Sequence, residues 1–174
     1  MIDENLIASD SQFYLRKLSV TDGRDIFDML KTITAEENAF TNPVYNMNFA
    51  RFKEWLVQQE QWAQNKGLPT GFVGQCLYWL FVGATPVGVG KIRYELTPSS
   101  RRKGGNIGYA ISSRYRGKGY GNEILKLLLR EAQKLKIKEI LLTVEKYNYP
   151  SKKVIEKNGG ILFDETEERW YFNF

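Results

Sequence analysis

Ile111-Ser-Ser-Arg-Tyr-Arg-Gly-Lys-Gly-Tyr-Gly121 is basic and rich in glycine. Ahead of it, Asn106-Ile-Gly-Tyr-Ala-Ile111 alternates as a strand does. Behind it, Asn122 to Leu135 carries Ile124, Leu125, Leu128, Ala132 and Leu135 at helical spacing. Strand, glycine-rich turn, helix is an order with a physical consequence. It gathers free backbone N–H groups and the positive end of a helix dipole at one point, with Arg116 and Lys118 beside it. Such a point binds phosphate.

Two familiar phosphate loops do not fit. The loop of nucleotide triphosphatases needs Gly-Lys followed by Ser or Thr, and here Lys118 is followed by Gly119 and Tyr120. The dinucleotide fingerprint Gly-x-Gly-x-x-Gly, started at Gly117, ends on Asn122. What fits is Arg/Gln-x-x-Gly-x-Gly/Ala, carried by Arg116, Gly119 and Gly121. This resembles the acetyl-CoA pyrophosphate loop of the GNAT superfamily of N-acyltransferases.

Composition narrows the chemistry. The chain has 174 residues, 43% hydrophobic and 26% charged, which suits one soluble domain, 1–174, with a sizeable core. A net charge of +5 favours an anionic ligand and is too diffuse to argue for nucleic acid. The chain has no His, which removes Ser-His and Cys-His catalysis and the commonest zinc ligand, so no metal is expected. Cys76 stands alone in an apolar run and reads as a small core residue. No apolar run approaches the ~20 residues that span a membrane. Met1-Ile-Asp-Glu lacks the features of a signal peptide, so a cytoplasmic location is expected.

The remaining elements follow from period and turn chemistry. Phe13 to Leu18 reads as a first strand. Thr21 and Asp22 are N-cap candidates for a helix with Ile26, Met29, Leu30 and Ile33 on one face. Ala35 to Asn48 reads as a polar loop studded with aromatics. Phe49, Phe52, Trp55, Leu56 and Trp62 mark a second helix; the stripe reads as core packing, with Trp55, Trp62 or the preceding loop as a possible wall of an acceptor cleft. Gln75–Val82 and Val87–Glu95, joined by Gly83-Ala-Thr-Pro86, read as an antiparallel hairpin. Thr97–Gly105 is a basic loop. Lys138–Val144 reads as a buried strand reached by a parallel crossover. Pro150 to Asn158 reads as a short helix closed by Gly159-Gly160, and Ile161–Asp164 and Trp170–Phe174 as a closing pair of strands.

This order of elements resembles the GNAT fold over nearly the whole chain, and Asn148-Tyr-Pro-Ser151 leading to Gly159-Gly160 resembles a second motif of that superfamily. Arg93-Tyr-Glu-Leu followed by Gly104-Gly105-Asn106-Ile-Gly-Tyr resembles a bacterial branch of acetyltransferases. The resemblance implies an α/β (α+β) domain. Its central sheet is mixed, mostly antiparallel, of about six or seven strands, with helices on both faces and the fourth and fifth strands splayed. It implies acetyl-CoA as cosubstrate and transfer of its acetyl group to a primary amine of a small molecule or a protein, by direct attack in a ternary complex. It places Tyr109, Ala110, Ile111 and Ser112 along the pantetheine and the thioester oxygen. Arg116, Gly117, Lys118, Gly119, Tyr120, Gly121 and Asn122 then hold the pyrophosphate, and Asn148 and Ser151 lie along the pantetheine.

The superfamily's usual acid and base are missing. Its Tyr after Asn-x-x-Ala falls on Ile155, and its fourth-strand carboxylate falls near Gly105 and Asn106. Glu95 is the first candidate for the base and Glu145 the second; Tyr147 or Tyr149, then Tyr94, are candidates for the acid. Rival readings are a CoA-binding module without turnover, and an RNA- or ribosome-associated protein using Arg101, Arg102, Lys103, Arg114 and Arg116. The leading reading expects neither nucleic acid nor membrane as partner, and a monomer or homodimer. Phe40–Phe49 and Thr97–Lys103 are where the acceptor's walls are expected.

Overall fold

The structure is a computed structural model that describes residues 12–38 and 40–174; the reading of Met1 to Glu4 lies outside the described residues. In chain order the elements are β1 (Phe13–Lys17), α1 (Arg24–Leu30), β2 (Glu36–Glu37), β3 (Phe40–Thr41), α2 (Phe49–Ala63), β4 (Gln75–Val82), β5 (Thr85–Arg93) and α3 (Pro98–Arg102), then β6 (Ile107–Ile111), α4 (Tyr120–Lys134), β7 (Leu141–Glu145), α5 (Tyr149–Lys157), β8 (Ile161–Glu165) and β9 (Arg169–Asn173). The main strands form two antiparallel half-sheets, ordered β1-β4-β5-β6 and β7-β9-β8. Counted without the tiny β2–β3 hairpin, β6 and β7 are the fourth and fifth strands, and no ladder joins them.

One seam holds the halves together. The Asn106 amide donates to the Leu141 carbonyl (2.7 Å), and the Leu141 amide donates to Asn106 Oδ1 (2.9 Å). Glycine makes that approach possible. A Cβ on Gly105, whose φ is +66°, would lie 2.2 Å from the Leu141 carbonyl oxygen. Past the seam the strands part.

Each face of the sheet has its own core. Ile26, Leu30 and Ile33 from the first helical segment and Phe52 and Leu56 from α2 pack on Leu77, Trp79 and Val89. On the other face, Ile124, Leu125, Leu128 and Ala132 of α4 pack on Tyr78, Leu80 and Ile92. A Cβ on Gly90 would meet Leu128 at 2.6 Å, so β5 needs glycine for α4 to sit close. Helices on both faces, as expected, therefore follow from the apolar stripes of α1, α2 and α4.

Local details differ from the sequence reading in three places. Neither Thr21 nor Asp22 caps α1; Gly23 stands at its N-cap without a side-chain bond. Asp22 is buried instead, accepting from Arg16 Nη2 (2.5 Å), Trp79 Nε1 (2.7 Å) and the Ser19 amide (2.8 Å). The loop at Ala35–Asn48 contains the β2–β3 hairpin and a 3-10 turn at Pro43–Asn46. The basic loop contains α3, nucleated by a reciprocal Thr97–Ser100 capping box.

Candidate active site

The turn after β6 is open where a ligand would sit. Gly117 (φ +74°) and Gly119 (φ +81°) take the left-handed conformation, and Gly119 is the N-cap of α4. A Cβ at either would meet nothing within 4 Å. Among the described residues, the amides from Gly117 to Gly121 find no backbone acceptor, while those of Asn122 and Glu123 turn back to the Gly119 carbonyl. These are the orphan donors of a helix start, aimed outward. Gly121 differs: a Cβ there would make only ordinary contact with Val154 and Tyr109 at 3.7–3.8 Å, so packing within the chain does not require glycine.

From this turn a cleft of about 660 Å³ runs back between β6 and β7. Tyr109, Ala110, Ile111, Arg116, Gly117, Gly119, Tyr120, Gly121, Asn122, Asn148 and Ser151 all line it. The sequence reading therefore brings these residues to one place. Asn148 Oδ1 caps α5 by accepting from the Ser151 amide (3.2 Å), and Ser151 Oγ pairs with the Tyr109 hydroxyl at 3.0 Å. Burial pushes the Tyr109 phenol up to about 12, against the opposing Ser151 bond, so it stays protonated. Arg116 bonds Glu37 across the mouth and donates through Nε to the Ile111 carbonyl (3.2 Å). Two expected residues stand apart. Ser112 is buried, its hydroxyl paired with Thr32 Oγ1 at 2.7 Å, and it anchors the end of β6 to the segment after α1. Lys118 lies over the Tyr115 ring, 5.7 Å from its centroid, and does not line the cleft.

A second cavity of about 580 Å³ lies on the α2 side of the sheet. Its walls come from Phe40–Met47, from Trp55 and Trp62 of α2, and from Thr97–Lys103, the segments expected to shape an acceptor site. Trp55 serves both roles proposed for it, packing in the core and facing the cavity. The two cavities share Phe40, Lys91 and Arg93. Lys91 faces Gly108 across the β5–β6 ladder, and a Cβ on Gly108 would lie 3.8 Å from Lys91 Cε. Lys91 Nζ sits 5.0 Å from the Phe40 ring centroid. Burial first, and the neighbouring Arg93 guanidinium second, push the Lys91 ammonium down to about 7, with Glu36 opposing.

The catalytic candidates drawn from the sequence do not reach this junction. β5 ends at Arg93, two residues short of Glu95. The Tyr94 amide then turns to the Gly74 carbonyl, and Glu95 lines a separate depression of about 800 Å³ with Leu135, Ile137 and Phe174. Tyr147 and Tyr149 are 67% and 60% exposed and line neither the cleft nor the second cavity. Tyr147 donates to Glu145, and the Tyr149 ring packs edge-on against Trp170. Glu145 is paired with Arg169 (3.2 Å), and the Tyr94 hydroxyl donates to the Ala63 carbonyl (2.9 Å). Ile155, where an acid is usual, is buried in the cleft wall, and a Cβ on Gly160 would press on it at 2.5 Å. Sequence reasoning missed Lys91. Its signal was a lone Lys in step with Val89 and Arg93 along an apolar strand.

The family described as Acetyltransferase (GNAT) domain matches residues 12–161, and the chain belongs to it: this is an acetyltransferase of the GNAT family. No curated protein matches the chain. Solved structures share the fold. The ribosomal-protein-S5-alanine acetyltransferase of Vibrio fischeri has a TM-score of 0.71 at 15% identity, covering 94% of this chain and 93% of that one. RimL, a ribosomal L7/L12 alpha-N-protein acetyltransferase solved in complex with coenzyme A, has a TM-score of 0.70 at 14% identity, covering 93% of each chain. The Campylobacter jejuni N-acetyltransferase PseH in complex with acetyl coenzyme A has a TM-score of 0.62 at 14% identity, covering 93% of this chain and 97% of that one. Among the described residues, no helix is long and apolar enough to cross a membrane.

Proposed function

We propose that this chain transfers the acetyl group of acetyl-CoA to a primary amine that enters through the second cavity. One observation carries the reading. The unpaired amides at Gly117–Gly121 lead into the unpaired edge of β6, and that edge leads to the point where the two cavities meet. The amides and the α4 dipole suit a diphosphate. Lys153 and Lys157 line the same cleft and add positive charge for the donor's phosphates. The outer edge of β6 offers N–H donors to an amide-bearing arm and to the oxygen that turns negative as the thioester is attacked.

In the step itself the amine nitrogen bonds to the thioester carbon, the carbon–sulfur bond breaks with its electron pair going to sulfur, and the thiolate leaves. The nitrogen must lose a proton, and Lys91 is the residue at the junction placed to accept it. Phe40 does not titrate, and the Arg93 guanidinium stays charged. A base works best with a pKa near the working pH, and Lys91, at about 7, is there. The acid usual at Ile155 is not required: a thiol with a reference pKa near 8.5 can leave as its thiolate. Calorimetry with acetyl-CoA, followed by thiol release on a panel of primary amines, tests the proposal. Binding with no release by any amine would reject it in favour of a CoA-binding module.

A further inference from the structure

The second cavity has a charge that its own residues do not balance. Among the described residues, its titratable lining is Lys91, Arg93 and Lys103, and no carboxylate lines it. Arg93 spends one N–H on the Gly105 carbonyl (3.0 Å), and among the described residues it has no ion pair. Lys91 has neither an ion pair nor a hydrogen bond among the described residues, only the Phe40 face. Glu36 accepts from Thr41 Oγ1 (3.2 Å) and does not line the cavity. Arg93 is half-buried, and a guanidinium partly withdrawn from water without an ionic partner favours a bound anion.

An acceptor arrives at neutral pH mostly as an ammonium. A simple alkylammonium or a polyamine would meet only positive charge here. A carboxylate lining would attract such a substrate, and none is found among the described residues. The walls otherwise offer aromatic faces, Trp55 and Trp62, and side-chain amides, Gln58 and Gln75. Resting on the acetyltransferase reading above, we infer that the acceptor amine also carries an oxyanion, a phosphate or a carboxylate, which Arg93 and Lys103 hold while the amine faces the thioester. Arg93 has the planar fork that matches either group, and Lys103 adds a point charge from the α3 side.

The test uses matched primary amines with acetyl-CoA: O-phosphoethanolamine against ethanolamine, glucosamine 6-phosphate against glucosamine, β-alanine against propylamine, and spermidine. Thiol release is expected to show at least a tenfold higher kcat/KM for the anionic member of a pair. The phosphate and carboxylate pairs then separate the two sources of the oxyanion. Lys103→Glu is expected to erase the preference while leaving acetyl-CoA affinity, read by calorimetry, unchanged. Preference for the neutral member or spermidine, or a ratio unmoved by Lys103→Glu, would overturn the inference and leave the acetyltransferase reading standing. If no amine turns over, quenching of Trp55 and Trp62 fluorescence by the same pairs decides the matter. Equal quenching by both members of every pair overturns the anion site, whereas failure of acetyl-CoA to bind overturns the enzyme reading alone.

Discussion

The cleft proposed for the donor and the cavity proposed for the acceptor meet at Lys91, yet they are made of different material. The donor side is main chain: a left-handed turn, a helix start and a strand edge with no partner. The acceptor side is side chain: rings, amides and cations delivered by segments from Phe40, Trp55, Lys91 and Lys103. A backbone device tolerates few substitutions but recurs with a recognisable spelling. A side-chain device can be rewritten one residue at a time. The contrast teaches that this chain advertises its donor and hides its acceptor.

The sharpest way to break the contrast is Gly119→Asp. It forces a positive φ on a residue with a Cβ and sets a carboxylate against the expected diphosphate. A like charge at 4 Å costs about 4 kcal/mol at a surface-type dielectric, so acetyl-CoA affinity should fall on the order of a thousandfold. A folded variant with unchanged affinity by calorimetry would mean that the turn is not the diphosphate site.

On the acceptor side, Lys91→Met should lower kcat by about a hundredfold, the ordinary contribution of a positioned base. The wild-type rate should climb with pH through about 7, as Lys91 loses its proton. In Lys91→Met that limb should vanish, leaving only the limb set by the amine substrate itself. An identical pH–rate profile in the two proteins would remove Lys91 from the chemistry.

The same residue should also be visible in stability. Its folded pKa, about 7, lies below the unfolded value of 10.5. Between those values the unfolded chain holds a proton that the folded chain does not, so stability should rise from pH 7 to pH 9. Urea midpoints measured across that window should rise in the wild type and stay flat in Lys91→Met. Parallel slopes would mean that the ammonium is not desolvated.

Smallest of all is Glu37→Gln. It frees Arg116 from a partly exposed pair, worth roughly 1 kcal/mol or less. Acetyl-CoA should bind a few-fold tighter as the guanidinium becomes available to phosphate. Weaker binding would show that Glu37 positions Arg116 rather than competing for it.

Much of the fold could be read because its signals are local. Alternation at Asn106–Ile111, the glycines at 117, 119 and 121, and the apolar stripe from Ile124 to Leu135 lie within one continuous stretch, and the structure keeps them adjacent. The catalytic candidates failed for a geometric reason. Glu95 looked like a strand end beside the splayed pair, but β5 stops at Arg93 and the chain bends toward Gly74. Two residues of error at a strand end moved a carboxylate to another depression. Lys91 drew no notice because nothing local distinguishes a lone Lys in an apolar strand. Only the tertiary meeting of β5, β6 and Phe40 shows that it is half-buried where the two cavities join. The short α3 escaped because Thr97-Pro-Ser-Ser100 is equally good turn chemistry.

The short stitch between Asn106 and Leu141 has a consequence for how this protein survives. Past that stitch, β6 and β7 are neighbours that share no ladder, so each half-sheet ends in a raw border. An amide-bearing arm lodged in the gap would serve as the absent strand and tie the halves into one cooperative unit. Resistance to melting would then track the supply of donor thioester, and a starved cell would hold a looser enzyme than a well-fed one.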